Sequence, residues 1–237
     1  MSEELLLLAG TAASIGFVHT LLGPDHYLPF VVLARARGWS TRRTAAITLL
    51  CGVGHVLSSV LLGLLGIGLG VALGRLEAIE AMRGELAGWA LLAVGAVYTA
   101  WGLKRALAGG RGHVHLGSGH VAVHALTHAH GEGEGAAATA ARRLPLTPWA
   151  LFLVFVLGPC EPLIPILMYP AAAASTAGML LVAGVFAVAT LATMLAIVLL
   201  GLSGVRHLHV GRLERYSHAL AGAAILLCGV AIQFLGL

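Results

Sequence analysis

The pattern of apolar and polar positions divides the chain into long uncharged stretches separated by short charged ones. An apolar run of about 18 residues or more is typical of a helix that crosses a membrane. The longest charge-poor region, 144–205, is divided by a small polar stretch near residues 175–178. Residues 1–4 lack the basic region of a cleavable signal peptide, so we expect the first helix to be retained. We predict an all-α polytopic membrane protein with six transmembrane helices at 5–33, 44–73, 85–103, 148–171, 178–204 and 216–237.

Composition and charge placement agree with a membrane protein and predict its orientation. The chain is 59% hydrophobic and 10% charged, with a mean hydropathy of +0.94, whereas soluble domains carry about 25% charged residues. Of the 14 Lys and Arg residues, only Arg75 and Arg83 lie between the second and third predicted helices. The others lie in connections on the opposite side, so the positive-inside rule places those connections in the cytoplasm. Both termini are then outside a plasma (inner) membrane. The predicted partner is the lipid bilayer and not a nucleic acid, and a homo-oligomer is left open.

The chain also contains an internal repeat. GPDHYLPFVVL at 23–33 precedes GPCEPLIPILM at 158–168 by 135 residues, and LAGWALLAVGAVYTAWGL at 86–103 precedes LAGAAILLCGVAIQFLGL at 220–237 by 134. Each match falls at the corresponding helix of a three-helix unit. An odd number of spans reverses the second unit, so we predict two inverted three-helix repeats, as in secondary transporters. The predicted organisation is a first repeat at 1–107, a cytoplasmic His-rich loop at 108–143 and a second repeat at 144–237.

Both copies of the first helix carry a Gly-Pro pair, Gly23-Pro24 and Gly158-Pro159. Proline lacks a backbone donor and clashes with the preceding turn, so helices 1 and 4 are predicted to break at these pairs. A broken backbone at membrane depth is tolerated only where protein or a water-lined cavity satisfies it. Ionisable residues follow each break, which predicts a transport site where the two halves meet.

Ionisable and metal-ligating groups within the predicted spans are costly and usually functional. The candidate metal ligands are His19, Asp25, His26, His55, Cys160 and Glu161. On an unbroken helix His19 and His26 would lie about 10 Å apart along the axis, so they hold one ion only if the break shortens that distance. Other roles remain open: Asp25 paired with Arg35 or Arg37, His55 bonded to a carbonyl, Cys160 in packing, and Glu161 as a proton carrier. Ser58 and Ser59 are interpreted as packing residues.

The donor types narrow the choice of ion. Imidazole, carboxylate and thiolate together suit Ni²⁺, Co²⁺ and Zn²⁺, whereas Mg²⁺ and Ca²⁺ prefer oxygen ligands alone. Further histidines lie in the loop between the third and fourth predicted helices: His113, His115, His120, His124, His128 and His130. His-rich tracts bind metal ions. On its predicted cytoplasmic side, the tract would concentrate ions for export or buffer ions that have entered.

These motifs resemble the nickel/cobalt transporter superfamily, especially its six-helix branch of nickel/cobalt efflux and urease-accessory-like membrane proteins. The resemblance rests on His19, Asp25-His26, Gly54-His55, the His-rich loop and the six-span layout. The spacing here is H-x5-D-H, one residue longer than the H-x4-D-H of nickel/cobalt permeases. The resemblance implies that His19, Asp25, His26 and His55 handle the metal.

The expected function is secondary transport of a divalent transition metal, Ni²⁺ or Co²⁺ first and Zn²⁺ next, with efflux the favoured direction. Neither an enzymatic activity nor a permanently bound cofactor is expected. The alternatives share the three-plus-three layout: a sulfite or anion exporter, or a thiol-redox accessory protein. Anion export favours Lys or Arg in the membrane core, where none is predicted. A thiol relay needs a second Cys at the position matching Cys160, which is Asp25.

Overall fold

The computed structural model describes residues 3–108, 146–160, 162–172, 175–207 and 211–235. Within these ranges all regular secondary structure is helical. Short 3₁₀ turns lie at Pro24–His26 and Gly211–Tyr216. The α-helices are α1 (Glu3–Leu22), α2 (Leu28–Arg37), α3 (Thr41–Gly68), α4 (Leu73–Ala108), α5 (Leu146–Leu157), α6 (Leu163–Ala172), α7 (Thr176–His207) and α8 (Ser217–Leu235).

Five helices of the described chain are long and apolar enough to cross a membrane. They are α1, α3, α4, α7 and the segment Glu214–Leu235 that contains α8. The region predicted as one broken span at 148–171 forms two short helices, α5 and α6, just as the broken span at 5–33 forms α1 and α2. Leucines on the outer faces of the helices are exposed, such as Leu7 at 72% and Leu200 at 71%. An all-helical membrane protein is therefore confirmed.

The helices end at residues whose chemistry explains the ends. Helix α1 stops at Leu22, before Pro24, and the chain resumes as α2 only at Leu28. Helix α5 stops at Leu157, before Pro159. Because proline cannot donate the next backbone hydrogen bond, a stop at each Gly-Pro pair follows directly from the sequence.

The connection between α2 and α3 is short because both helix ends are capped. Gly38 adopts a left-handed conformation (φ 62°) after α2, a position that glycine occupies without steric cost. Ser40 then caps α3, where its Oγ accepts a hydrogen bond from the Arg43 amide at 3.3 Å. This connection fixes α2, which follows the first break, beside α3, which carries His55.

Helix α4 is longer than predicted. It begins at Leu73 and not near residue 85, so Glu80 and Arg83 lie inside a helix instead of a loop. Glu80 is fully buried and forms an ion pair with Arg83 one turn later. Because the two charges neutralise each other, both can lie within the helix bundle. A count of charges along the sequence does not detect such a pair. The prediction that Arg83 lies in a connecting loop is therefore wrong, because it lies inside the helix bundle.

Glycines bring α4 and α8 into close contact. Gly88, Gly95 and Gly102 recur every seven residues on one face of α4, and a Cβ at Gly95 would lie 2.4 Å from the Leu226 amide nitrogen. The same holds from the other helix, because a Cβ at Gly229 would lie 2.7 Å from the Leu92 nitrogen. Small residues allow backbones to approach this closely in membrane proteins.

Candidate metal site

Three histidines from three helical segments meet in the interior. His19 is near the end of α1, His26 is in the 3₁₀ turn after the first break, and His55 is in the middle of α3. One ligand nitrogen from each ring lies within 4.8 Å of the others. The ring centroids of His19 and His26 are 4.8 Å apart, and those of His26 and His55 are 5.0 Å apart. The break has thus removed the separation of about 10 Å that a continuous helix would impose.

The ring of His26 is oriented by groups of the first break. Its Nδ1 lies 3.2 Å from the Gly23 carbonyl oxygen and 3.2 Å from Asp25 Oδ1. Both oxygens are acceptors, so Nδ1 carries the hydrogen and Nε2 holds a lone pair. A carboxylate behind an imidazole is the usual arrangement around a metal-binding histidine, since it fixes the ring and raises its basicity.

Gly23 makes room for this ring. A Cβ at this position would lie 2.5 Å from His26 Nδ1 and 2.9 Å from Asp25 Oδ1. No real side chain tolerates such distances, so the glycine is required for the approach of His26 to its own backbone. The Gly-Pro pair therefore has two functions: Pro24 ends the helix and Gly23 accommodates the imidazole.

His55 is oriented by the second break. Its Nδ1 donates to the Phe155 carbonyl oxygen at 3.1 Å. In a continuous helix that carbonyl would accept from residue 159, which is proline and has no N–H. This carbonyl, whose remaining backbone donor is the Gly158 amide at 3.1 Å, thus also holds the imidazole of another helix. The remaining nitrogen of His55, Nε2, lies 2.9 Å from Cys160 Sγ.

The ligand nitrogens of the other two histidines have no protein partner among the described residues. Nε2 of His19 and Nε2 of His26 are both buried and make no hydrogen bond there. Two nitrogens on one tetrahedral ion, at 2.0–2.1 Å each, would lie roughly 3.4 Å apart. The present spacing of up to 4.8 Å is wider, so the rings would move toward one another to hold one ion. We refer to His19, His26 and His55 as the histidine triad.

The triad lines a cavity of about 780 Å³ that both breaks help to form. Asp25 lines it from the first break, and Gly158 and Pro159 line it from the second. Helix α4 passes close behind, where a Cβ at Gly84 would lie 2.8 Å from Pro159 Cγ. The cavity volume is in the range of small-ligand sites and leaves room for an ion that still carries water.

The other predicted ligands lie outside the triad or beyond the described residues. Asp25 is paired with His26, while Arg35 binds the Val205 carbonyl and Arg37 binds the Tyr98 hydroxyl. Cys160 is fully buried beside His55. Glu161 and the loop histidines His113, His115, His120, His124, His128 and His130 lie outside the described residues.

A polar network that was not predicted from the sequence lies beside the second break. Glu80 and Arg83 of α4 bind Ser58 and Ser59 of α3, so these serines are polar links and not simple packing residues. Arg83 Nη2 also donates to the Val156 carbonyl at 2.7 Å. A sequence signal was present: Glu80 and Arg83 are spaced three residues apart, as a helical ion pair requires.

Comparisons with known proteins add no family assignment. The chain matches no family model, no curated protein and no solved structure. Functional inference therefore depends on the motifs and on the geometry of the triad and its cavity.

Proposed function

We propose that the protein is a secondary transporter of divalent transition-metal ions, with Ni²⁺ and Co²⁺ the preferred substrates and Zn²⁺ the next. The observation that carries the proposal is the histidine triad, whose ligand nitrogens lie within 4.8 Å of one another beside a cavity between two broken helices. Neutral imidazole suits borderline ions of this kind, while Mg²⁺ and Ca²⁺ need oxygen cages. The ion would be bound as substrate and released, not retained as a cofactor.

Each residue of the site has a distinct part in this proposal. His19, His26 and His55 would bind the ion through one nitrogen each. Asp25 would act behind His26, as its 3.2 Å contact with Nδ1 suggests, and add negative charge near the cation. Cys160, 2.9 Å from His55 Nε2, is the nearest candidate for a fourth ligand.

The packing of α4 and α8 supports six spans arranged as two inverted repeats. At the repeat offset of 134, Gly95 corresponds to Gly229 and Leu92 to Leu226. Gly95 packs against Leu226, and Gly229 packs against Leu92. Such reciprocal contacts are typical of elements related by a two-fold axis. Contacts that run in opposite directions along the two helices support an axis in the membrane plane, as alternating-access transporters with inverted repeats require.

Charge placement supports an orientation with both termini outside the plasma membrane and the 108–143 loop in the cytoplasm. In that orientation the loop histidines would meet cytoplasmic ions first, which favours efflux. The superfamily resemblance of the motifs is consistent with this direction.

Anion export is the second candidate because an arginine, Arg83, lies inside the bundle. Its guanidinium pairs with Glu80, and its remaining donors bind Ser58 and the Val156 carbonyl. The positive charge is therefore neutralised beside the cavity wall, which favours a cation over an anion as the substrate. A thiol relay is disfavoured because the repeat position that matches Cys160 is Asp25, not a second cysteine.

The proposal is tested in proteoliposomes with Ni²⁺, Co²⁺, Zn²⁺ and sulfite measured side by side. We expect metal flux in the parent protein and its loss in His26→Ala. His218→Gln serves as the control, because His218 contacts Tyr98 and Trp101 away from the cavity; its flux should remain near that of the parent. Movement of sulfite without any metal flux would contradict metal transport.

A further inference from the structure

The second break leaves four backbone groups without their normal helical partners. In an α-helix the amide of residue i pairs with the carbonyl of residue i−4. Pro159 and Pro162 have no N–H, so the carbonyls of Phe155 and Gly158 lose the donor four residues later. The break also parts the Cys160 amide from the Val156 carbonyl. At membrane depth these groups must be satisfied by protein or by water in a cavity.

Side chains of α4 occupy two of these positions with the correct polarity. Arg83 Nη2 donates to the Val156 carbonyl at 2.7 Å and lies 3.5 Å from the Gly158 carbonyl. The Cys160 amide donates to Glu80 Oε2 at 3.2 Å and to Ser59 Oγ at 3.3 Å. Val156 and Cys160 are four residues apart, so in a continuous helix their carbonyl and amide would bond each other. Here the Arg83 guanidinium binds that carbonyl and the Glu80 carboxylate binds that amide.

We propose that the Glu80–Arg83 ion pair is a brace that replaces the Val156–Cys160 backbone hydrogen bond and holds Cys160 against His55. The pair is thereby assigned as positioning residues of the metal site, an assignment that rests on the proposed function. Direct contact with the ion is not part of this role, because neither residue lines the cavity of the triad.

Two features support a positioning role over a simple surface ion pair. Glu80 is fully buried, and the Arg83 side chain is only 14% exposed. The brace also reaches His55 through a second route, since Ser58 Oγ accepts from Arg83 Nη2 at 2.7 Å and donates to the His55 carbonyl at 2.8 Å. Helix α4 is therefore linked to His55 by two routes, one through Cys160 and one through Ser58.

The brace has a specific consequence for the thiol. His55 Nδ1 carries the ring hydrogen because it donates to Phe155, so Nε2 accepts and the Cys160 thiol donates. Loss of the brace leaves Ser59 Oγ as the remaining anchor of the Cys160 amide and lets residue 160 move. The thiol then leaves His55 and becomes accessible from the cavity.

The experiment measures the reactivity of Cys160 with a small maleimide in the metal-free, full-length protein. Cys51→Ala and Cys228→Ala provide a single-cysteine background. We expect Arg83→Met to raise the labelling rate at least tenfold, because Met fills the space but cannot donate to Val156. Arg75→Met, on the exposed face of the same helix, is the matched control and should label at the parental rate.

A charge swap separates a brace from an ordinary ion pair. Glu80→Arg combined with Arg83→Glu keeps the attraction but presents the wrong polarity to the Val156 carbonyl and the Cys160 amide. We expect the swap to label as fast as Arg83→Met. If Arg83→Met does not purify as a folded protein, Arg83→Lys is used; its ammonium lacks the fork that binds Glu80 through Nη1 and Val156 through Nη2, and labelling should still rise several-fold.

The brace would be overturned if Cys160 is labelled at the parental rate in a folded Arg83 variant or in the Glu80→Arg, Arg83→Glu double variant. A second measurement links the brace to the metal site: Co²⁺ titration followed by visible absorption should show affinity at least tenfold weaker in Arg83→Met. Labelling requires no metal. A parent protein that binds no Co²⁺ would therefore contradict the proposed function, while the labelling rates would still decide the brace.

Discussion

At the scale of single residues, the site depends on backbone carbonyls at the two helix breaks. The Phe155 carbonyl cannot accept from Pro159, and it accepts from His55 Nδ1 in addition to the Gly158 amide. At the first break the Gly23 carbonyl accepts from the His26 ring in addition to the His26 amide. In both cases a carbonyl at the break holds Nδ1 of an imidazole; Nε2 of His26 has no partner among the described residues, and Nε2 of His55 faces the Cys160 thiol. The cost of breaking a membrane helix is offset by the same hydrogen bonds that orient the ligands.

Gly23→Ala tests this orientation directly. The added Cβ would meet His26 Nδ1 at 2.5 Å, so the ring must rotate away and its Nε2 leaves the triad. We expect Co²⁺ affinity to fall at least tenfold, on the scale of other losses behind metal ligands, measured by titration of the purified protein. Gly10→Ala in α1 is the control, since nothing lies within 4 Å of a Cβ there. Equal affinity in both variants would mean that His26 does not bind the ion.

At the scale of elements, the α4–α8 interface sets the separation of the two halves. A Cβ at Gly95 would lie 2.4 Å from a backbone nitrogen and 2.6 Å from the Cα of Leu226. No side-chain rotation relieves contacts with backbone atoms, so the helices must separate. We expect Gly95→Ala to destabilise the protein by about 2 kcal/mol, a typical cost of overpacking, measured as a lower unfolding midpoint in detergent.

Gly74→Ala provides the comparison for this interface. It lies near the start of the same helix and has nothing within 4 Å of an added Cβ. Its midpoint should equal or slightly exceed that of the parent, because alanine has the better helix propensity. A midpoint in Gly95→Ala as high as in Gly74→Ala would show that the close approach of α4 and α8 is not needed for stability.

Local chemistry made some elements predictable and left others undetected. The breaks before α2 and after α5 follow from Gly-Pro pairs, and convergence of His19 with His26 was predicted only if the first break shortened their distance. The start of α4 at Leu73 was missed because Arg75, Glu80 and Arg83 look like loop charges in a hydropathy scan. Burial of Glu80 depends on Ser59 and on the Cys160 amide, partners that are distant in sequence.

At the scale of the whole molecule, the cavity lies toward one end of the bundle. It is lined by Ser14 and Ile15 of α1, by Gly84 of α4, and by Gln233 of α8. These positions lie toward the start of α4 and close to the end of α8. In the proposed orientation that end would face outward, so we predict that the site exchanges ions with the outside in this conformation.

This orientation predicts one-sided accessibility of the cavity. Ser14→Cys, which is exposed and lines the cavity, should react with a membrane-impermeant maleimide added from the side that carries an N-terminal tag. Cys51, Cys160 and Cys228 are buried, so the parent gives a low background. Leu200→Cys is the matched control, because its exposed apolar site on α7 should face lipid, where the charged reagent does not enter.

The outcome distinguishes a transport cavity from a surface crevice. Ni²⁺ bound at the triad should slow the labelling of Ser14→Cys and leave that of an exposed extramembrane cysteine unchanged. Labelling from the cytoplasmic side alone would contradict the proposed orientation. Equal rates at Ser14→Cys and Leu200→Cys would contradict a water-filled cavity, because a lipid-facing position and a cavity position would then be equivalent. If Ser14→Cys is labelled much faster than Leu200→Cys, and Ni²⁺ removes this difference in rate, the cavity, the triad and the outer surface belong to one pathway.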